Sequence, residues 1–319
     1  MRKKSTKTGA LVLAAAMMMA TALTGCGGSN SAATTAAAAD ATTAAAADAT
    51  TAAAADATTA AADGATTAAA ADGAVAADVQ KIIDAGVLKV GTKVDVPKFG
   101  LQNTATGEME GVEVDLAYEI AGKIFGCTAQ EAKDKKLIAF QGVTAKTRGP
   151  LLDNGEVDLV IATYTITPER KETWNFSSPY YTDAVGLMVL KTSGINSIED
   201  LNGKVIAVSQ GSTTKDGFEA YVKEKGIDVK PDFEEFDGYP SMAAALAAGN
   251  VDVFSVDRAI LAGYNDDTTT ILPDRFAEQE YGVASKLDNK GLADLVEGVV
   301  TDLKDSGKMT EMLKGWGIE

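Results

Sequence analysis

Histidine is absent from this chain of 319 residues, and cysteine occurs only twice, at Cys26 and Cys127. Without an imidazole there is no Ser-His-Asp or Cys-His nucleophile system and little scope for a transition-metal site. Two cysteines build neither a disulfide framework nor a four-thiolate zinc site. Positive charge is scarce as well, with 29 Lys and Arg against 45 Asp and Glu. Four of the basic residues (Arg2, Lys3, Lys4, Lys7) fall in the first 25 positions, which hold no acid. The remainder therefore carries 25 basic and 45 acidic residues, a balance of −20. Such acidity speaks against nucleic acid, whose phosphates demand a basic face, and against an anionic membrane surface as direct partners.

Residues 1–25 read as an export signal. The basic start precedes an apolar stretch from Ala10 to Leu23 that is too short to span a bilayer as a helix. It closes on Leu23-Thr24-Gly25-Cys26, which resembles the bacterial lipobox and implies that Cys26 is lipidated. From Ala33 to Gly73 the unit ATTAAAAD recurs five times with small variations. Nothing in it is larger than threonine or aspartate, so it cannot bury a core. Residues 26–78 are therefore expected to be a tether. Cys127 is expected to be a small buried residue in the last turn of a helix.

From Asp78 onward strands alternate with helices. Val87–Gly91, Leu137–Phe140, Val157–Ala162, Gly186–Leu190, Val205–Val208, Val251–Val256 and Tyr281–Ala284 are short apolar runs bounded by turns, as buried strands are. Glu113–Gly126 places apolar residues at helical spacing. Helix starts are marked by Thr167-Pro168-Glu169, by Ser197 with Asp200, and by Pro240-Ser241. The alternation predicts α/β layers with parallel sheets, and about 240 residues suit two lobes. An internal echo agrees. Gly155–Thr163 (GEVDLVIAT) matches Gly249–Asp257 (GNVDVFSVD) at a constant offset, each a helix-to-strand unit ending in a polar residue. Ligands in open α/β sheets bind beyond the carboxyl ends of strands, so two matching strand ends predict a ligand held between lobes.

The stretch Ala145–Tyr181, AKTRGPLLDNGEVDLVIATYTITPERKETWNFSSPYY, resembles the extracellular solute-binding proteins of polar amino-acid ABC importers. Gly111–Ala121, Leu201–Thr214 and Phe254–Tyr264 extend the likeness. Gly91–Gly100, Val143–Gly155 and Phe236–Ser241 look most like the aspartate/glutamate-binding branch. The resemblance implies a two-lobed periplasmic-binding-protein-like α/β fold, with lobe 1 at 79–185 plus 280–319 and lobe 2 at 192–276. Two hinge strands would lie near 186–191 and 277–284. It further implies a monomer without cofactor, working with a membrane permease and its ATPase on the outer face of the cell membrane.

By the same resemblance, Arg170 pairs with the ligand α-carboxylate, the planar guanidinium offering two parallel hydrogen bonds. Thr163 and Thr165 aim neutral donors at it, and Thr213 adds a site near a helix N-terminus. Asp257 takes the ammonium, and Tyr239 covers the ligand. Lys93 and Arg148 hold a side-chain carboxylate; many relatives have an acid and an aromatic ring where this chain has Lys93 and Val96. Each residue also has a plainer reading. Arg170, Lys93 and Arg148 would be solvated charges, the threonines strand ends or caps, Asp257 a helix N-cap and Tyr239 a packing ring.

Lys93, Arg148 and Arg170 against Asp257 leave a surplus of two positive charges, which favours glutamate or aspartate. Glutamine or another polar amino acid is the alternative. An enzyme on the same scaffold (a dehydratase or murein lyase) or a surface adhesin is the alternative of another class. No unpaired carboxylate with a motif of its own is evident in the sequence.

Overall fold

The computed structural model describes residues 75–318, which belong to one compact unit, Ala68–Glu319. The export signal, Cys26 and the repeat segment lie outside the described residues.

The chain enters through α1 (Ala77–Ala85) and the strand β1 (Leu88–Thr92), followed by short strands β2 (Asp95–Val96), β3 (Gly100–Gln102) and β4 (Met109–Glu110). Helices α2 (Val112–Phe125) and α3 (Ala129–Asp134) lead to β5 (Ile138–Gly142), and α4 (Arg148–Asp153) to β6 (Leu159–Ile161). After α5 (Pro168–Thr173) and β7 (Trp174–Phe176), β8 (Tyr181–Leu190) carries the chain into the second lobe. There β9 (Val205–Ser209), α6 (Thr214–Lys225), β10 (Asp232–Phe236), α7 (Tyr239–Ala248), β11 (Val253–Asp257), α8 (Arg258–Tyr264) and β12 (Thr269–Ile271) follow. The strand β13 (Phe276–Tyr281) returns to the first lobe, closed by β14 (Ala284–Lys286), α9 (Lys290–Asp305) and α10 (Lys308–Gly315).

The two-lobed α/β architecture is that expected from the sequence, but the sheets are mixed rather than parallel. In the first, ordered β5-β1-β6-β14-β7, only β1 with β5 and β6 is parallel; β14 runs antiparallel to both neighbours. In the second, ordered β10-β9-β11-β8-β12, the β9 pairs are parallel and the β8 pairs antiparallel. The antiparallel members belong to chain segments that change lobes, and such segments enter the sheet against the direction set by helix crossovers. The connection is also placed differently from the expectation. Gly186–Leu190 pair inside the second sheet, whereas Tyr181–Val185 against Phe276–Tyr281 form the two-stranded link. The strand expected at Tyr281–Ala284 is two strands, with Gly282 and Val283 between them. Cys127 lies just past α2 and its Gly126 C-cap, and is half-buried rather than in the last turn.

Helix α2 shows why these residues fold as they do. Val112, Leu116, Ala117, Ile120, Ala121 and Ile124 are buried on one face, and Gly126 closes the helix in the left-handed conformation. Gly111 precedes it at φ 128°, where a Cβ would lie 2.0 Å from the Phe99 carbonyl oxygen, so only glycine fits. Ile120 is fully buried in the hydrophobic core. Ile120→Ala should cost about 2–5 kcal/mol and lower Tm by roughly 5–15 °C in calorimetry. An unchanged Tm would show that this face is not packed in solution as described.

Candidate functional site

Lys93 follows β1, Thr163 lies two residues past β6, Thr213 four residues past β9, and Asp257 is the last residue of β11; the last three line one cavity. That cavity is small, about 10 Å³, and is walled by Ala145, Arg148, Thr163, Thr165, Ser212, Thr213, Thr214, Tyr239, Val256, Asp257 and Gln279. That is about the room one water molecule needs. A wider groove of about 1090 Å³ between α2, α3 and α9 is an open surface lined by charged and small residues. It gathers none of the buried ionisable groups that face the small cavity.

Six of the eight residues named from the sequence therefore share one wall. Lys93 and Arg170 stand behind it. Lys93 is 1% exposed, its Nζ 3.2 Å from Asp95 Oδ1 and 4.3 Å from the centre of the Tyr239 ring. Burial lowers its pKa, with Asp95 opposing the shift. Half-buried Arg170 donates from Nη1 to the Thr165 carbonyl oxygen (2.7 Å) and from Nη2 across the lobes to the Gly211 carbonyl oxygen (3.1 Å). Its position comes from α5, where the Thr167 hydroxyl accepts the Arg170 N–H at 3.2 Å and Pro168 sits in the first turn. Burial, then the neighbouring Arg148 charge, brings its pKa down to about 10. Gly211 allows the close approach: at φ 74°, a Cβ there would meet the Ala145 carbonyl oxygen and Lys146 Cα at 3.0 Å. Across the same boundary Lys146 Nζ donates to Gln210 Oε1 (2.8 Å) and Tyr264 O–H to the Asp95 carbonyl oxygen (2.5 Å).

Arg148 is 3% exposed. Its Nη1 donates to the carbonyl oxygens of Ala162 (2.7 Å) and Thr163 (3.0 Å), and its guanidinium lies 3.9 Å from the centre of the Tyr164 ring. Its Nε is buried without a partner among the described residues. Thr163 has φ 45°, a left-handed conformation that β-branched residues avoid at a cost of order 1–3 kcal/mol. Its Oγ1 is likewise buried and unpartnered among the described residues.

Asp257 is buried, and Tyr281 donates its hydroxyl to Oδ2. Desolvation raises the Asp257 pKa to about 7, with the Tyr281 hydrogen bond working against it. The helix-cap reading does not apply to Asp257, which makes no side-chain cap bond. The free Ala259 N–H of α8 goes instead to Asp183 Oδ2 at 2.7 Å. Thr213 makes no cap bond either. Tyr239, 3% exposed, packs near Phe254 and Tyr264 while also lining the cavity.

Four contributors were missed in the sequence. Gln279 on β13 accepts from Thr165 Oγ1 (2.6 Å) and Thr213 Oγ1 (2.9 Å), tying the two lobes through one oxygen. Tyr281, on the same strand, reaches Asp257. Asp95 neutralises Lys93. Glu113, in the GVEVDLAYEIA motif, is fully buried with no basic group within 4 Å among the described residues. It is the unpaired carboxylate that the sequence did not reveal. The only available signal was an acid on the apolar face of α2, next to Val112 and Val114.

The arrangement offers one guanidinium group, several hydroxyls and one carboxylate around a small cavity, with the Arg170 guanidinium behind its wall and, among the described residues, no nucleophile and base held together there. It can bind a zwitterion. The profile of the bacterial extracellular solute-binding proteins, family 3, matches residues 88–319. The glutamine-binding protein GlnH of an ABC transporter from Bacillus subtilis is 36% identical over 239 residues, covering 74% of this chain and 82% of that protein. A glutamine-binding protein of Geobacillus stearothermophilus is 37% identical, covering 66% and 77%. The glutamate-binding protein GluB of Corynebacterium glutamicum is 31% identical, covering 72% and 78%. Among solved structures, an ancestral arginine-binding protein bound to glutamine is 30% identical with a TM-score of 0.61, covering 73% of this chain and 99% of that one.

Proposed function

The chain belongs to the bacterial extracellular solute-binding proteins, family 3, the amino-acid-binding components of ABC transporters and not enzymes, and on that premise we propose that its ligand is glutamine. The observation that carries this is the charge of the site. The surplus of two positive charges counted from the sequence omits Asp95 and Glu113. With them, Lys93, Arg148 and Arg170 face Asp95, Glu113 and Asp257, three cations against three carboxylates. A neutral site accepts a zwitterion with a neutral side chain. An acidic ligand would bring an uncompensated charge into a desolvated cavity, and leaving one buried charge unpaired costs roughly 3–5 kcal/mol.

In this reading Arg170, Thr163, Thr165 and Thr213 take the α-carboxylate, Asp257 the ammonium, and Arg148 the side-chain oxygen, while Tyr239 covers the ligand and Lys93 stays with Asp95. Two lobes close on the amino acid about the β8–β13 link, and contacts such as Arg170 to Gly211 stabilise the closed form. The chain acts as a monomer on the outer face of the membrane, held by a lipid on Cys26, and delivers its ligand to a permease and ATPase.

Calorimetric titration with glutamine, glutamate, aspartate, arginine and cystine tests the assignment. Glutamine should bind at least tenfold more tightly than glutamate. The reverse order would restore the acidic ligand expected from the sequence, and binding of none of the five would remove the amino-acid reading.

A further inference from the structure

Glu113 touches no part of the cavity, yet everything around it converges on two residues that do. Its Oε1 accepts the Thr163 N–H at 2.6 Å and the Tyr180 O–H at 2.6 Å, while Oε2 is buried without a partner among the described residues. On the other side of the same peptide segment, Arg148 Nη1 donates to the carbonyl oxygens of Ala162 and Thr163. The segment leaving β6 is thus gripped at its N–H by a buried acceptor and at its carbonyls by a buried donor. Those two grips offset the left-handed conformation of Thr163, which a threonine does not adopt unaided. Thr163 and Arg148 both line the cavity.

We propose that Glu113 is a positioning residue of the ligand site, fixing the Thr163 backbone and through it the places of the Thr163 hydroxyl and the Arg148 guanidinium. The inference rests on reading the cavity as the amino-acid site. The function required of Glu113 is to accept hydrogen bonds at one oxygen, not to carry a charge to the ligand. A purely structural acid in the core would influence folding stability and leave the affinity of folded molecules alone. A positioning acid moves affinity when its acceptor is lost or withdrawn and leaves it when the acceptor is kept.

The test compares Glu113→Ala, Glu113→Asp and Glu113→Gln in the full chain, with glutamine affinity by calorimetry and the Thr163 amide proton by NMR as separate readouts. Glu113→Ala should weaken binding roughly 10- to 100-fold and move the Thr163 amide resonance upfield from its charge-assisted position. Glu113→Gln, which keeps an acceptor oxygen, should recover most of the affinity. If the alanine variant does not fold, Glu113→Asp carries the test, since it withdraws the acceptor by one methylene and should bind about tenfold more weakly. Wild-type affinity in the folded alanine or aspartate variant overturns the inference, as does a glutamine variant as weak as the alanine one. If wild-type protein binds no glutamine, the proposed function fails, and the Thr163 resonance still decides. Its displacement in Glu113→Ala or Glu113→Asp supports the positioning role, and an unmoved resonance in those variants overturns it.

Discussion

Arg170→Ala should lower glutamine affinity by on the order of 10²–10³-fold, the range for removing one partner of a buried, hydrogen-bonded charge pair. Two losses combine. The guanidinium is the strongest fixed donor available for the ligand carboxylate, and its pKa of about 10 keeps it protonated at neutral pH. It also bridges Thr165 on one lobe to Gly211 on the other, so removing it should raise the dissociation rate more than it lowers the association rate. Arg170→Lys should restore only part of the affinity, because an ammonium cannot reproduce the planar fork. Ligand-dependent stabilisation gives a second readout. At 100 times Kd a ligand adds about 2.7 kcal/mol, roughly 5–10 °C in Tm for a domain of this size. That shift should vanish in Arg170→Ala while the ligand-free Tm stays close to wild type, since the side chain is only half-buried. Undiminished affinity in this variant would move the carboxylate to Arg148 and the Thr163 hydroxyl, which line the cavity directly.

Glutamine affinity should fall about tenfold for each pH unit below 7, reaching roughly 100-fold at pH 5, because one proton must leave Asp257 for the ligand ammonium to enter. The pKa of about 7 comes chiefly from desolvation. The sign for stability is opposite. A carboxylate raised above its unfolded value near 3.8 holds a proton in the folded chain that the unfolded chain has released. The ligand-free protein should therefore lose stability from Asp257 as pH rises from about 4 to about 7, while ligand binding strengthens over the same range. Asp257→Asn should flatten the binding profile and weaken binding at neutral pH, as the ammonium loses its counter-charge. Tyr281→Phe removes the donor to Oδ2 and should shift the binding midpoint upward. A pH-independent wild-type affinity between 5 and 8 would separate Asp257 from the ammonium.

Much of this was legible because it is local. The strand runs, the Thr167-Pro168 helix start and the Ser197–Asp200 capping box depend on neighbours within a turn, and the structure shows each of them. The echo between Thr163 and Asp257 survived because each ends a helix-to-strand unit, Thr163 two residues past β6 and Asp257 as the last residue of β11. Sheet direction was not legible, because β8, β13 and β14 take theirs from where the chain changes lobes, a property of the whole path. The Asp257 cap reading failed for a related reason: Asp183, 76 residues away from Ala259, supplies the cap.

By itself, the sequence determined the absence of histidine chemistry, the two-lobed α/β texture, and two matching strand ends with a polar residue each, while the amino acid as ligand came only from the resemblance to a family. Each follows from residue type and spacing, which are fixed before the chain folds. Only the tertiary structure decided which of those charges remain free for a ligand. Glu113 reaches Thr163 across 50 residues and Gln279 reaches Thr165 across 114. Lys93 meets Asp95 only two residues away, but burial is what makes that pairing count. A charge is neutralised by distance and desolvation, both set in space, so a count along the chain leaves out Asp95 and Glu113, whose charges act on Lys93 in the fold.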